Sequence, residues 1–264
     1  MKLSILSPSF NQGKYLEKNI KSVLKQDYIN VEHIVIDGGS TDETVDILKK
    51  YSHLRWVSEK DEGQADALNK GLEMAKGDII GWLNSDDYYE ENIFTEVIEH
   101  FKDPSCFWVI GNLSYYFEEG NFIKKGKSPL ITYKRLLENV DIVRQQPAFF
   151  RRSIIEQVGK WNKEFHMLMD YDLWLRVAKL HDPKMVDSNY AYFTIQPDQK
   201  TNTSRNVNIQ LHELKQLLTR EQGSMTYYYR PLIKKKWYLL KSLVKQLLIR
   251  ASLAKKTVPF FLKK

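Results

Sequence analysis

The chain has one cysteine, Cys106, so it can form neither an intrachain disulfide nor a multi-cysteine metal site. That scarcity fits a reducing compartment, and the cytoplasm is the expected location. No run of about 18 apolar residues occurs, so no membrane-spanning helix is expected. The apolar start, Leu3 to Leu6, is broken by Pro8 too soon for a signal peptide. The six histidines, His33, His53, His100, His166, His181 and His212, include no HExxH and no close pair, which disfavours a zinc hydrolase. Neither a GxxxxGK[ST] loop nor a GxGxxG fingerprint is present. Internal repeats, low-complexity tracts and Pro/Gly-rich linkers are also missing.

Acidic residues are absent from Gln222 to Lys264, where eleven of the 40 lysines and arginines lie. Residues 1–221 then hold 29 basic against 33 acidic residues, a net of −4 beneath the overall +7. The body is mildly acidic and the tail carries the excess. With 264 residues and 42% apolar composition, the body can bury one large core.

Strand-like and helical patterns alternate through the first hundred residues. Lys2–Ser7, Val31–Ile36, Leu54–Ser58 and Ile79–Leu83 are apolar runs bounded by Gly, Asp or Pro. Tyr15–Gln26, Thr41–Tyr51 and Gln64–Lys76 carry helical spacing between them. This alternation predicts a parallel, doubly wound α/β sheet with its ligand site at the strands' C-terminal ends. Beyond a helix at Glu90–Lys102 the pattern turns mixed. A hairpin is expected over Phe107–Phe117 and Phe122–Lys125, strands at Pro147–Arg151 and Met185–Thr194, and helices at Asp170–Leu180 and Val207–Arg220. Residues 1–221 read as one domain, 1–103 binding nucleotide and 104–221 acceptor, followed by a basic amphipathic tail at 222–264.

Polar residues crowd where the strands end: Ser7-Pro8-Ser9-Phe10-Asn11, then Asp37-Gly38-Gly39-Ser40-Thr41-Asp42, then Asn84-Ser85-Asp86-Asp87. Taken singly, Asp37-Gly38-Gly39 reads as a turn with Ser40 or Thr41 capping the next helix. Asp86-Asp87 is harder to read that way, because two adjacent carboxylates at a ligand-binding edge repel unless a cation lies between them. Few, hard oxygen ligands suit Mg²⁺ or Mn²⁺. The competing reading makes one of the two a cap for the helix near Glu90. Gly63 to Gly71 opens a helix that either aims its N-terminus at the crevice or is an ordinary amphipathic helix.

Pro8-Ser9-Phe10-Asn11, Ile36 to Asp42, Gly63-Gln64-Ala65-Asp66-Ala67-Leu68-Asn69-Lys70-Gly71 and Asn84 to Asp87 together resemble family 2 glycosyltransferases of the GT-A fold, co-linearly over residues 1–205. The resemblance implies inverting, metal-dependent transfer from a nucleotide-diphosphate sugar to a glycan or lipid-linked acceptor, in surface polysaccharide synthesis of the bacterial type. It implies nucleotide or donor binding by Pro8, Ser9, Phe10, Asn11, Asp37, Gln64, Asp66, Asn69 and Asp86, with Asp37 reading the base. It implies Mn²⁺ or Mg²⁺ on Asp87 with Asp86. Trp82, Asn84, Gln145, Gln146, Pro147 and Asp172 fall in the acceptor and donor-sugar region. Met169-Asp170-Tyr171-Asp172 resembles the helix start that carries the catalytic base, which points to Asp170. An N-cap role for Asp170 and a base role for Asp172 compete with that assignment. Leu68, Met169 and Gln196 depart from the family's usual Arg, Glu and His, and that His is a metal ligand in some relatives. Two rival readings are a nucleotidyltransferase and an inactive membrane-associated partner.

The roles have their own physical logic. Displacing a nucleoside diphosphate builds charge on the leaving phosphate, which a cation neutralises, while a carboxylate takes the acceptor's proton.

In the tail, Trp237, Leu240, Val244, Leu247, Leu248 and Ala251 recur at helical spacing beside Lys241 and Lys245. Residues 230–264 are therefore expected either to lie peripherally on anionic lipid at the inner face of the cell membrane or to pack against the domain or a second copy in a homo-oligomer. No nucleic-acid reader motif appears, and no nucleic-acid partner is expected.

Overall fold

A computed structural model describes residues 1–117, 122–139, 143–196 and 204–223. The first half alternates as expected: β1 (Leu3–Ser9), α1 (Gly13–Leu24), β2 (Val31–Asp37), α2 (Thr44–Lys49), β3 (Arg55–Ser58), α3 (Gln64–Met74) and β4 (Ile79–Trp82). There follow β5 (Tyr88–Tyr89), α4 (Phe94–Phe101), β6 (Trp108–Phe117), β7 (Phe122–Lys124), α5 (Tyr133–Glu138), β8 (Ala148–Arg151), α6 (Arg152–Val158), α7 (Met169–Ala178), β9 (Lys184–Ile195) and α8 (Ser204–Arg220). Among the described residues the strands form one mixed sheet, ordered β3-β2-β1-β4-β8-β6-β9-β5, with β7 paired to β6.

The parallel pairs β1·β2, β1·β4 and β2·β3 put three strand ends on one edge. Ser9 lies beside Asp37 and Leu6 beside Trp82 in the registers. β1 is buried along its whole length, as a central parallel strand covered on both faces must be. Gly71 lets α3 close on that sheet: a Cβ there would stand 2.5 Å from Ile36 Cδ1. Gly63, at φ 111°, turns the chain into α3 through a region that disfavours other residues.

Two layers of helix complete the core. One face buries Leu6, Ile36, Trp82, Trp108 and Phe150 under residues of α3, α6, α7 and α8. The other buries Leu3, Ile5, Val109 and Phe149 under α4, and Val35 under α1 and α2. Phe150 stacks on Trp174 of α7 with centroids 4.8 Å apart and planes 8° apart, and on Trp108 at 5.4 Å. This aromatic column fixes α7 against the sheet, and burial of each ring contributes on the order of 2 kcal/mol.

Several expectations are corrected. α4 begins at Phe94 with Ile93 as its cap, so neither Asp86 nor Asp87 caps it; the intervening chain instead adds Tyr88–Tyr89 to β9. α2 is shorter than its pattern because Asp42 accepts from Thr44 N at 3.0 Å and Asn11 Oδ1 holds Thr41 N at 2.9 Å, keeping the preceding residues in a loop. Asp170 is not the N-cap of α7; that position is Leu168. The short helices α5 and α6 were not anticipated. The hairpin tip at 118–121 and the tail from 224 lie outside the described residues, as does the proposed lipid-binding segment 230–264. Among the described residues no helix is long and apolar enough to cross a membrane.

Candidate active site

A crevice of about 540 Å³ opens at the strand ends. β1 contributes Pro8 and Ser9, followed by Phe10 and Gln12; the approach to α3 contributes Asp61, Gly63 and Gln64. Trp82, Asn84, Ser85 and Asp86 come from the end of β4, Val143 to Gln146 from the approach to β8, His166, Met167, Met169 and Asp170 from the start of α7, and Phe193 and Gln196 from β9 and its end. Both halves of the chain therefore meet in one cavity.

Hydrogen bonds across loops hold this edge together. Gly38 N donates to Ser9 O at 2.8 Å and Ser85 Oγ to Pro8 O at 2.8 Å. From α1 the buried Asn19 donates Nδ2 to Asn84 O at 2.9 Å and Asp87 O at 3.1 Å, fixing the acidic turn from behind. Asn84 Oδ1 accepts from Gln64 Nε2 at 2.7 Å and Trp82 Nε1 at 2.8 Å. Phe10, 60% exposed at the crevice, offers an aromatic face.

The two adjacent acids have different surroundings. Asp86 lines the crevice and accepts from Gln196 Nε2 at 2.9 Å; burial pushes its carboxyl above the ordinary value, against the pull of that hydrogen bond. Asp87 is 1% exposed and lies behind the lining, accepting from Gln146 Nε2 at 2.7 Å and Thr194 N at 2.9 Å. Burial, then the charge of Asp86, push it well above the ordinary value. Of the two adjacent acids expected to share a cation, Asp86 is the one that faces the crevice, and Asp87 stands behind it against Gln146 and Thr194. Among the described residues the lining carries Asp61, Asp86 and Asp170 against one guanidinium, Arg144. A diphosphate in such a crevice needs added positive charge. No cluster of three His, Cys, Asp or Glu forms among the described residues, so no all-protein metal cage exists there. One carboxylate completed by substrate phosphates still fits Mg²⁺ or Mn²⁺, which are usually held that way.

Other residues singled out in the sequence hold the walls. Asp37 is fully buried; its carboxylate accepts from Ser40 N at 3.0 Å, Ser58 Oγ at 2.6 Å and Ser40 Oγ. Asn11, at φ 52°, ties the first loop to the second through Thr41 and through Ser40 Oγ at 2.7 Å. Asp66 pairs with Lys163 at 3.1 Å; burial raises its carboxyl, yet Glu62 N–H and Lys163 outweigh that and hold it low. Asn69 exchanges two bonds with the Trp161 backbone, at 2.8 and 3.1 Å. Pro147 accepts from Gly111 N at 3.0 Å. Asp172 is fully buried between Arg176, at 2.6 Å, and Arg220, at 2.5 Å, which excludes it as a base facing substrate. None of these side chains lines the crevice.

Gln145 and Gln146 do line it, and both are more than nine-tenths buried. Neither polar atom of the Gln145 amide has a partner among the described residues. Ser9 Oγ, Gln12 Oε1 and Gln146 Oε1 share that condition, so unmatched polar groups concentrate at one cavity. Gln12, Asp61, His166 and Met167 went unrecognised in the sequence. Asp61 carried a signal, standing just before the Gly63 motif.

The mixed sheet and its crevice define a GT-A fold. The chain belongs to the family described as glycosyl transferase family 2, whose model matches residues 4–159. It is 30% identical over 200 residues to the Escherichia coli β-1,3-glucosyltransferase WfaP, described as acting from UDP-Glc on α-D-GlcNAc-diphosphoundecaprenol, covering 71% of this chain and 76% of that one. Staphylococcus aureus TarS 1–349 in complex with UDP-GlcNAc superposes with TM-score 0.64 at 18% identity, over 83% of this chain and 66% of that 1–349 chain. The Pyrobaculum calidifontis mannosyltransferase PcManGT, solved with GDP-Man and Mn²⁺, gives TM-score 0.60 at 18% identity over 90% of this chain and 69% of its own.

Proposed function

We propose that the protein is an inverting, metal-dependent glycosyltransferase that moves a sugar from a nucleoside-diphosphate donor to a hydroxyl of a glycan or lipid-linked acceptor in surface polysaccharide synthesis. The observation that carries this reading is the convergence of Phe10, Asp86, Gln145 and Asp170 on one crevice. Phe10 with Pro8 supplies a face for the nucleobase. Asp86, with the amide of Gln196 beside it, is the group that would hold the divalent cation. The cation's contribution is to offset the charge gathering on the leaving diphosphate.

Asp170 takes the proton of the acceptor hydroxyl as that oxygen attacks the anomeric carbon from the face opposite the leaving group. The attack forms one C–O bond as the bond to the diphosphate breaks, so the anomeric configuration inverts. Gln145 and Gln146 offer donors and acceptors to sugar hydroxyls. Support for the donor class comes from UDP-GlcNAc in TarS and GDP-Man with Mn²⁺ in PcManGT, and for the acceptor class from the lipid-linked substrate of WfaP.

The test is a panel of nucleotide sugars with Mn²⁺ or Mg²⁺, scored for nucleoside diphosphate release with and without chelator. One preferred donor, chelator-sensitive turnover and an inverted anomer in the product are expected. Full activity in chelator refutes the metal requirement, and a retained anomer refutes the single displacement.

A further inference from the structure

The geometry points to Glu213, on α8, as a positioning residue that holds the segment carrying Asp170. The inference rests on the assignment of Asp170 as the base. Glu213 is 3% exposed, and no lysine or arginine among the described residues pairs with it. Its carboxylate is met by three consecutive backbone amides: Oε1 accepts from His166 N at 2.7 Å, and Oε2 from Met167 N at 2.9 Å and Leu168 N at 2.8 Å. These amides immediately precede α7, whose own cap, Leu168, makes no side-chain bond.

Of these three, Leu168 N is among the unpaired N–H groups that begin the helix, at its positive dipole end, while those of His166 and Met167 belong to the loop before it, so the one carboxylate ties loop and helix start together. Here it comes 45 residues later in the chain, from a different helix. The caught residues are functional ones, since His166 and Met167 line the crevice and Asp170 follows two residues after Leu168. A buried carboxylate is a costly way to fill space, whereas leucines at this position would pack as Leu214, Leu217 and Leu218 do. What a carboxylate adds is two acceptor oxygens with the lone pairs for three donors. A glutamine presents one oxygen, and its NH₂ would face an N–H.

α8 also grips α7 farther along through Arg220 and Asp172, a grip that depends on other atoms than Glu213. Removing the Glu213 carboxylate should therefore loosen residues 166–170 while α8 stays docked.

The experiment uses the full chain and compares wild type with Glu213→Gln, Glu213→Asp and Asp170→Asn. It reads kcat and donor KM with the preferred donor, Kd for UDP and GDP with Mn²⁺, and hydrogen exchange of peptides spanning 166–170 against peptides from β1 and β2. In Glu213→Gln a kcat at least tenfold lower, KM and Kd within about threefold, and at least tenfold faster exchange confined to 166–170 are expected. Glu213→Asp, which keeps the charge on a shorter arm, should recover part of the lost kcat; if the Gln variant does not fold, this variant carries the comparison. A wild-type kcat in Glu213→Gln alongside an inactive Asp170→Asn overturns this inference alone. Faster exchange throughout β1 and β2 overturns it too, by making Glu213 a general stability residue. A wild-type kcat in Asp170→Asn overturns the base assignment and this inference with it.

Discussion

Gln196, at the end of β9, donates its side-chain amide to Asp86 of the β4 loop at 2.9 Å, joining the two halves of the chain across the crevice. The resemblance read from the sequence implies a metal-binding histidine in place of this glutamine. Replacing a neutral amide by imidazole in Gln196→His should tighten Mn²⁺ binding about tenfold, read by titration calorimetry with the bound nucleoside diphosphate present. Unchanged affinity would remove residue 196 from the cation's surroundings.

The division of labour between the adjacent acids gives a second expectation. Asp86→Asn removes the crevice-facing charge and should lower kcat/KM at least 100-fold while the protein unfolds at nearly the wild-type denaturant midpoint. Asp87→Leu leaves Gln146 Nε2 and Thr194 N without their acceptor and should cost about 2 kcal/mol of stability in urea unfolding. If Asp86→Asn is fully active and Asp87→Leu fully stable, the structural distinction between the two is wrong.

Acid sensitivity should originate in β2. His33 is buried against Ser7 at 2.9 Å, and burial followed by the charge of His53 lowers it to about 3. Its contribution is therefore present above the unfolded value of 6.5 and is lost as pH falls from there toward 3. Burial raises Glu32, but bonds from Ser4, Lys76 N, Lys2 and Arg55 outweigh it and hold the carboxyl at about 2. That contribution, about 2 kcal/mol after allowing for exposure of Lys2 and Arg55, is present above 4.5 and is lost between 4.5 and 2. Urea stability measured from pH 8 to 2 should fall across both ranges, and His33→Asn should remove the fall between 6.5 and 4.5, where Glu32 does not contribute, while leaving the loss due to Glu32 below 4.5.

The aromatic column is the third structural target. Phe150→Ala should cost about 3–5 kcal/mol, because it opens a cavity between Trp108 and Trp174 as well as removing buried area. A loss below about 1 kcal/mol in urea unfolding would mean that α7 is fixed by other contacts.

The strand and helix order of the first half was legible because buried parallel strands are continuous apolar runs, and their ends necessarily share an edge. The crevice followed from that, and Pro8, Phe10, Gln64, Asp86 and Asp170 do line it. Motif membership did not reveal which way each polar side chain faces. Asp66 meets Lys163, Asn69 meets Trp161, and Asp172 meets Arg220, partners 97, 92 and 48 residues away. Such pairings depend on how α3, α7 and α8 pack, which no local pattern encodes. Glu213 was hidden for the same reason, since a single acid within an amphipathic helix reads as part of its solvated face.

The most direct test of the central claim is the single-turnover rate of nucleoside diphosphate release from the preferred donor, with acceptor, in wild type and Asp170→Asn. If Asp170 takes the acceptor's proton, the variant should bind donor within about twofold of wild type and release product at least 1,000-fold more slowly. A variant that turns over at the wild-type rate would contradict the account.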